Sequence, residues 1–132
     1  MPESDAILPH GWPRPSGYAH AIARSGRIIA IAGQVGWDPV TREFESDAFV
    51  DQARQALRNI VTVVTAAGAQ ITDVVRLTWY VTDREAYLDN LKSVGNAYRA
   101  VFGRHFPAMS VVVVAGLIEP RALVEIEATA VF

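Results

Sequence analysis

Two adjoining stretches near the end of the chain constrain its fold more than any other part of the sequence. Residues 106–117 are almost unbroken in apolar and β-branched character, which is typical of a strand buried on both faces. Residues 122–132 alternate instead, with Glu125 and Glu127 on one side and apolar residues on the other. A polar turn at residues 119–121 predicts that the two strands are neighbours. The carboxylates would then lie on a strand face that another surface has to cover, as at a subunit interface.

Composition narrows the class of protein. The 132 residues are 51% hydrophobic and 20% charged, which predicts a single compact domain over residues 1–132, with a proline-rich, irregular lead-in over residues 1–17. The high apolar share favours an oligomer that hides surface between subunits. The basic residues form no run or stripe and the net charge is −2, so no nucleic-acid partner is predicted.

The sequence also predicts where the protein works and which chemistry it lacks. No apolar stretch approaches the length of a membrane span and no signal-like segment begins the chain, so we expect no membrane partner and a cytoplasmic location. The absence of cysteine excludes disulfides, thiolate metal sites and cysteine nucleophiles.

The spacing of apolar residues predicts the element order β-β-α-β-α-β-β. Ser25-Gly26 is a two-residue hairpin signal that would pair the first two strands. Thr82 and Glu85 fit a capping box that opens the second helix, and Gly68 is a plausible C-terminal cap of the first. The elements before the two final strands are strands over 18–24 and 27–32, a helix over 47–67, a strand over 74–81 and a helix ending at Gly103.

Each predicted helix has a single apolar stripe, so both should pack on one face of a mixed sheet. This gives an α+β fold. The opposite face would carry Val111 or its neighbours together with the row of Glu125, and it needs a cover from another subunit.

Most side chains with catalytic potential lack the surroundings that their chemistry needs. Ser110 has no G-x-S-x-G elbow, and Lys92, the only lysine, lies on a solvated helix face. No metal site is predicted, because no spaced pair of ligands surrounds any of the histidines, which are His10, His20 and His105. Glu125 and Glu127 remain. They are ordinary surface acids if hydrated, or acids of raised pKa if a partner covers them.

Short motifs along nearly the whole chain resemble the RidA (YjgF/YER057c/UK114) family. They occur at residues 17–18, 32–34, 38–39, 52–59, 67–68, 73–75, 106–108 and 124–128. The resemblance implies a chorismate-mutase-like fold and a homotrimer with ligand clefts between subunits. That arrangement agrees with the uncovered strand face.

The resemblance also implies an activity and assigns site residues. Relatives hydrolyse imines and enamines to a keto acid and ammonia without a cofactor. The family's Pro-Ala-Arg-Ser motif, whose arginine binds the substrate carboxylate, reads Pro-Ala-Met-Ser here, with Met109 at the arginine position. Glu125 matches the acid that holds the attacking water and Tyr18 the motif tyrosine, so both are predicted to be catalytic. The predicted substrate-binding residues are Gly33, Met109, Ser110 and Val111.

Methionine has neither charge nor donor, so the sequence leaves the function open between alternatives. The first is a deaminase-type hydrolase that acts on a small-molecule substrate other than the usual small imino acids. The second is a non-catalytic trimer that binds a small metabolite, and a third, less supported, is an interaction or chaperone-like trimer. Arg14, Arg76 and Arg121 stay open as residues that could reach the cleft.

Overall fold

The structure is a computed structural model that describes residues 5–132, which form strands in two sheets and three α-helices. The elements are β1 (Ala6–Ile7), β2 (Ala21–Ile22), β3 (Ile28–Val35), α1 (Phe49–Ala66), β4 (Val74–Val81), α2 (Arg84–Leu88), α3 (Leu91–Phe102), β5 (Ala108–Val113) and β6 (Val124–Val131). A 3₁₀ turn, Ile71–Asp73, leads into β4.

The main sheet has four strands in the order β3-β6-β4-β5. The central strand β6 is antiparallel to both β3 and β4, whereas the edge strand β5 is parallel to β4. Helices α1 and α3 contact each other, and α1 packs on β3 and β6. The predicted α+β fold, a mixed sheet with helices on one face, is confirmed.

The alternation predicted for the last strand is confirmed by the burial of β6. Val124, Ile126 and Ala130 are fully buried against the helices, while Glu125 and Glu127 are half-buried on the opposite face. This period of two follows from the pleat of a strand with only one face covered by helices.

The prediction that β5 is a neighbour of β6 and buried on both faces is wrong. β4 lies between them, so β5 is an edge strand: within residues 5–132 its partner strand is β4, and its outer side forms only an isolated bridge between Ala108 and Ala19. Val112 and Val113 are 40% and 49% exposed, and Ser110 is also exposed. Val111 lies in register with the buried Trp79 and packs against the core, so it lies on the helix face and not on that of Glu125.

The predicted hairpin around Ser25-Gly26 is also wrong. β2 pairs with β1, and β3 pairs with β6. The Arg27 N–H donates to the Phe132 carbonyl at 2.8 Å, and the Phe132 N–H returns a bond at 3.0 Å, so the turn directs the chain towards β6. The lead-in predicted to be irregular contains β1, and its first residues, 1–4, lie outside the described part of the chain.

The second predicted helix is divided into α2 and α3, which are separated by residues 89–90. Its cap differs from the predicted capping box because the Asp83 carboxylate, not the Thr82 hydroxyl, accepts from the backbone N–H of Glu85 at 2.9 Å. Gly68 follows α1 with φ +87, as the predicted C-terminal cap requires.

A buried amide on α1 fixes the segment that leads into β6. The Gln52 side chain donates to the carbonyls of Ser46 and Arg121 at 3.0 and 3.1 Å, and accepts from the Leu123 N–H at 2.8 Å. Gln52 is 1% exposed, so these bonds satisfy polar groups that water does not reach. They set the start of the strand that carries Glu125.

Candidate active site

The carboxylate of Glu125 lies directly over a glycine of the neighbouring strand. Between Ile31 and Gln34 the register of β3 against β6 shifts by one residue, which marks a bulge containing Gly33. A Cβ atom built on Gly33 would come within 2.7 Å of the Glu125 Cδ atom. Any other side chain at position 33 would displace the Glu125 carboxylate, so its present position requires glycine there.

The two acids of β6 differ in what they contact. The Tyr80 hydroxyl donates to Glu127 Oε1 at 2.5 Å, and this hydrogen bond raises the pKa of Tyr80. Within residues 5–132, no donor contacts the carboxylate of Glu125. Of the two candidates, Glu125 is the carboxylate that is free to hold a water molecule.

A cavity of about 370 Å³ lies on the helix side of the sheet edge, between α3, β5 and residues 16–18. This volume is at the lower end of the range for small-molecule sites. The wall is mostly aromatic and aliphatic. Its lining residues are Ser16, Gly17, Tyr18, Trp79, Tyr87, Leu91, Val94, Gly95, Tyr98, Arg99, Phe106, Met109 and Val111.

The alternation of β5 decides which motif residues face this cavity, which we call the Met109 cavity. Met109 and Val111 line it, opposite Leu77 and Trp79 in the register with β4. Ser110 lies between them in the strand and therefore faces the other side of the sheet.

The Met109 cavity also contains polar donors. The Arg99 guanidinium lines it and donates to the Asn96 side-chain carbonyl at 2.7 Å. The buried Trp79 indole N–H has no acceptor within residues 5–132. Burial raises the pKa of Tyr87, so its hydroxyl stays protonated at neutral pH. The Tyr98 hydroxyl is already committed, because it donates to the His105 carbonyl at 2.5 Å.

The structure brings the residues predicted for the site together in two groups and not in one. Tyr18, Met109 and Val111 line the cavity on the helix side. Gly33 and Glu125 lie together on the opposite, open face, which also carries Ser110. Met109 and Val111 lie on β5, so the two groups are separated by the thickness of the sheet and, across its width, by about 10 Å from Glu125 on β6 and about 14 Å from Gly33 on β3.

The sequence left open which arginine could reach the cleft. Arg121 binds Asp47 at 2.6 Å, Arg76 lies on the open face in register with Thr129, and Arg14 lines a separate cavity. The arginine that lines the Met109 cavity is Arg99, which reasoning from the sequence missed. Its position four residues after Gly95 was the available signal, because residues at this spacing share a helix face.

The histidines lie in different surroundings. His105 is half-buried, its Nε2 atom lies 2.6 Å from the Val74 carbonyl, and burial lowers its pKa. His20 packs its ring edge-on against Tyr18. Across residues 5–132 no cluster of three or more His, Cys, Asp or Glu side chains is placed to hold a metal ion.

None of the helices in that range is both long and apolar enough to cross a lipid bilayer.

Comparison with known proteins agrees with this architecture. The family model described as Endoribonuclease L-PSP matches residues 13–132. The chain is 40% identical over 110 residues to the 2-iminobutanoate/2-iminopropanoate deaminase of Escherichia coli K12, with 80% of each chain covered. A Rid-family protein of unknown function from Yersinia pestis superposes with a TM-score of 0.85 at 36% identity, covering 96% of this chain and 97% of that one.

A further solved relative, TdcF of Escherichia coli with bound serine, matches with a TM-score of 0.69 at 30% identity over 100% of this chain and 97% of that one. The mixed sheet, the helices on one face and the cavity at the sheet edge thus define a small α+β domain of the Rid type. The chain belongs to the RidA (YjgF/YER057c/UK114) family. The family resemblance inferred from the motifs is confirmed.

Proposed function

We propose that the protein is an imine or enamine hydrolase of the deaminase type, with active sites between the subunits of a homotrimer. One observation carries this proposal. Within residues 5–132, the Met109 cavity has no acidic lining residue, while Glu125 lies on the opposite face of the sheet, outside this cavity. A second copy of the chain that places its open face against the cavity supplies what each half lacks.

The exposed residues of the open face support such a contact. Ile28 and Val112 are 71% and 40% exposed there, beside the polar row that contains Glu125. A subunit that covers this face removes apolar surface from water, which stabilises the assembly by roughly 25 cal/mol per Å². Because the two contacting surfaces differ, the contact is heterologous, and a heterologous contact forms a ring such as the trimer that the family resemblance implies when the rotation between copies closes.

The proposed reaction uses the free carboxylate as a general base. Glu125 accepts a proton from a water molecule while the water oxygen attacks the imine carbon, and the protonated carboxyl then gives this proton to the imine nitrogen. Glu125 next takes the hydroxyl proton of the resulting carbinolamine and passes it to the amino nitrogen, so the carbon–nitrogen bond breaks and ammonia leaves as the carbonyl forms. An enamine enters the same sequence after protonation at carbon. Tyr18, which lines the cavity, orients the reacting group.

The lining of the Met109 cavity defines the proposed substrate. The deaminase relative is named for 2-iminobutanoate and 2-iminopropanoate, which carry very small side chains. Here Met109 is uncharged, and Trp79, Tyr87 and Phe106 contribute aromatic surface. We therefore expect imines with larger apolar side chains to be better substrates than the two small imino acids.

The direct test is the release of ammonia and keto product from a panel of imines and enamines generated in the assay. The panel compares alanine-, leucine- and phenylalanine-derived imines, each corrected for spontaneous hydrolysis. Acceleration that increases with side-chain size supports the proposal. Absence of acceleration for every compound, together with ligand-induced shifts in melting temperature, would instead favour a metabolite-binding trimer without catalysis.

Gly33→Ala should reduce hydrolysis without unfolding the protein. The new methyl group would lie 2.7 and 2.9 Å from the Cδ and Cγ atoms of Glu125, and the flexible glutamate side chain can yield by rotating away. We expect a rate loss of about tenfold or more, because a displaced base no longer holds water in line with the imine. The measurements are turnover and thermal melting. An unchanged rate would show that the present position of Glu125 is not the reactive one.

A further inference from the structure

Among residues 5–132, one cationic side chain lines the Met109 cavity, and it comes from α3. Arg99 places its guanidinium beside Gly95, where a Cβ atom would lie 3.3 Å from Nη1 and 3.6 Å from Nη2. The missing side chain of Gly95 therefore leaves the space in which this guanidinium lies against the cavity wall.

Arg99 is not neutralised by a carboxylate. Within residues 5–132 it forms no salt bridge, and its one side-chain hydrogen bond goes to the uncharged amide of Asn96. A guanidinium has five N–H donors in a planar fork, and one bond to Asn96 leaves most of them available. The positive charge of the cavity is thus free for a ligand.

The other polar groups of the cavity are also donors. Trp79 is 2% exposed, and its indole N–H is the buried side-chain polar atom within residues 5–132 that lacks a partner. A buried donor without an acceptor is destabilising, so a ligand oxygen in reach of it would remove that penalty. The cavity is lined by hydrogen-bond donors and, among residues 5–132, by no acidic residue. This combination favours an anionic ligand that is rich in hydrogen-bond acceptors.

The remaining wall specifies the rest of the ligand. Tyr18, Tyr87, Tyr98 and Phe106 contribute aromatic surface, and Val94 contributes an aliphatic side chain. Aromatic rings stabilise a second ring by stacked or edge-on contacts, beyond the effect of the area they bury. A ligand that fills this wall has a bulky apolar or aromatic group beside its anionic one.

We propose that Arg99 is the residue that binds the substrate carboxylate in this protein, and that the substrate class is 2-imino acids with large apolar or aromatic side chains. The assignment rests on the proposed function of the same cavity. It explains how a chain with Met109 in β5 still binds an anion, since the charge comes from the helix that faces this strand across the cavity.

The test measures the binding of phenylpyruvate, the keto acid that such a hydrolysis would release, so it does not depend on turnover. Titration calorimetry compares wild type, Arg99→Gln and Arg84→Gln, a matched control because Arg84 is an exposed arginine of α2 that does not line the cavity. Ethyl phenylpyruvate, which keeps the ring but lacks the charge, is the ligand control, and pyruvate tests the contribution of the ring.

We expect Arg99→Gln to weaken phenylpyruvate binding by about tenfold to a hundredfold and to leave the weaker binding of the ester unchanged, because only the charge-assisted bonds are lost. Arg84→Gln should bind like wild type. The inference is overturned if acid and ester bind wild type equally well, if pyruvate binds as tightly as phenylpyruvate, or if both arginine variants behave alike.

Turnover separates this inference from the function on which it rests. Arg99-dependent binding of phenylpyruvate, with no acceleration of any imine, would support the binding site and refute the hydrolase. Imine hydrolysis at wild-type KM and kcat in Arg99→Gln would support the hydrolase and refute the role of Arg99.

Discussion

Glu125→Gln should lower imine hydrolysis by about a hundredfold or more while leaving the chain folded, because the amide keeps the shape of the carboxylate but cannot accept a proton from water. Glu127→Gln is the matched control on the same strand face. Glu127 is committed to the Tyr80 hydroxyl, so its replacement should leave the rate within a few-fold of wild type. Equal losses in the two variants would contradict the assignment of Glu125 as the base.

The position of Glu125 allows a sharper form of this experiment. In a single chain it lies on the face opposite the Met109 cavity, so the proposed hydrolytic site combines the carboxylate of one copy with the cavity of another. Gly95→Leu is the complementary variant. It fills the cavity from α3, and replacing a helical glycine favours the helix by roughly 0.5–1 kcal/mol. Each variant alone should be nearly inactive.

Mixed assemblies of the two variants should regain activity. In a trimeric ring that contains both variants, one cleft of the three combines an intact cavity with an intact Glu125, so the mixed assemblies should reach about a third of the wild-type rate. The variants are co-expressed with different tags, and doubly tagged assemblies are purified and assayed. A mixture no more active than its parents would refute a site shared between subunits.

The parts of the fold that could be predicted from sequence are those determined by neighbouring residues. The bounds of β4, Val74–Val81, follow from a run of β-branched, aliphatic and aromatic residues interrupted only by Arg76, and the inner face of β6 follows from a period of two. Helix α1 lies within two residues of its predicted ends because its apolar stripe and Gly68 are local features.

Strand order could not be predicted in this way. Residues 114–123 join β5 to β6, and a polar turn inside them suggested adjacency, but β6 pairs with β3 and β4 instead. The Ser25-Gly26 dipeptide is compatible with a turn whether β3 pairs with β2 or with β6. The backbone hydrogen bonds between Arg27 and Phe132 direct β3 to β6. Such pairings depend on residues far apart in the chain, which local patterns do not describe.

In the candidate site, too, some features follow from neighbouring residues, whereas others depend on residues far apart in the chain. The motif around Met109 was treated as one group, yet the alternation of β5 alone would have separated Ser110 from its neighbours. Arg99 lies on a helix, whereas the arginines that the sequence left open, Arg14, Arg76 and Arg121, lie in loops and on a strand. The cavity that joins α3 to β5 is a tertiary feature, and only the packed structure places the guanidinium beside Gly95.

The largest effect on stability is expected from Gly36→Ala. Gly36 is buried just after β3, and a Cβ atom there would lie 2.5 Å from the Gln52 Cα atom and 2.7 Å from its carbonyl carbon. These are backbone atoms of α1, so no side-chain rotation relieves the overlap. The helix or the strand has to move, and that also strains the bonds from the Asn59 amide to the carbonyls of Val35 and Trp37, at 3.1 and 3.0 Å.

We expect Gly36→Ala to lower the free energy of unfolding by about 3 kcal/mol or more, in the range reached only by severe core overlap. Gly116→Ala is the matched control. A Cβ atom on Gly116 would have no other atom within 4 Å, and the residue has no positive φ, so its replacement should change stability by less than about 0.5 kcal/mol. Urea unfolding is compared at one protein concentration, since assembly contributes to the stability of an oligomer. A Gly36→Ala protein as stable as the control would mean that α1 and the end of β3 can separate freely, and the close backbone approach would then not fix the strand that carries Gly33.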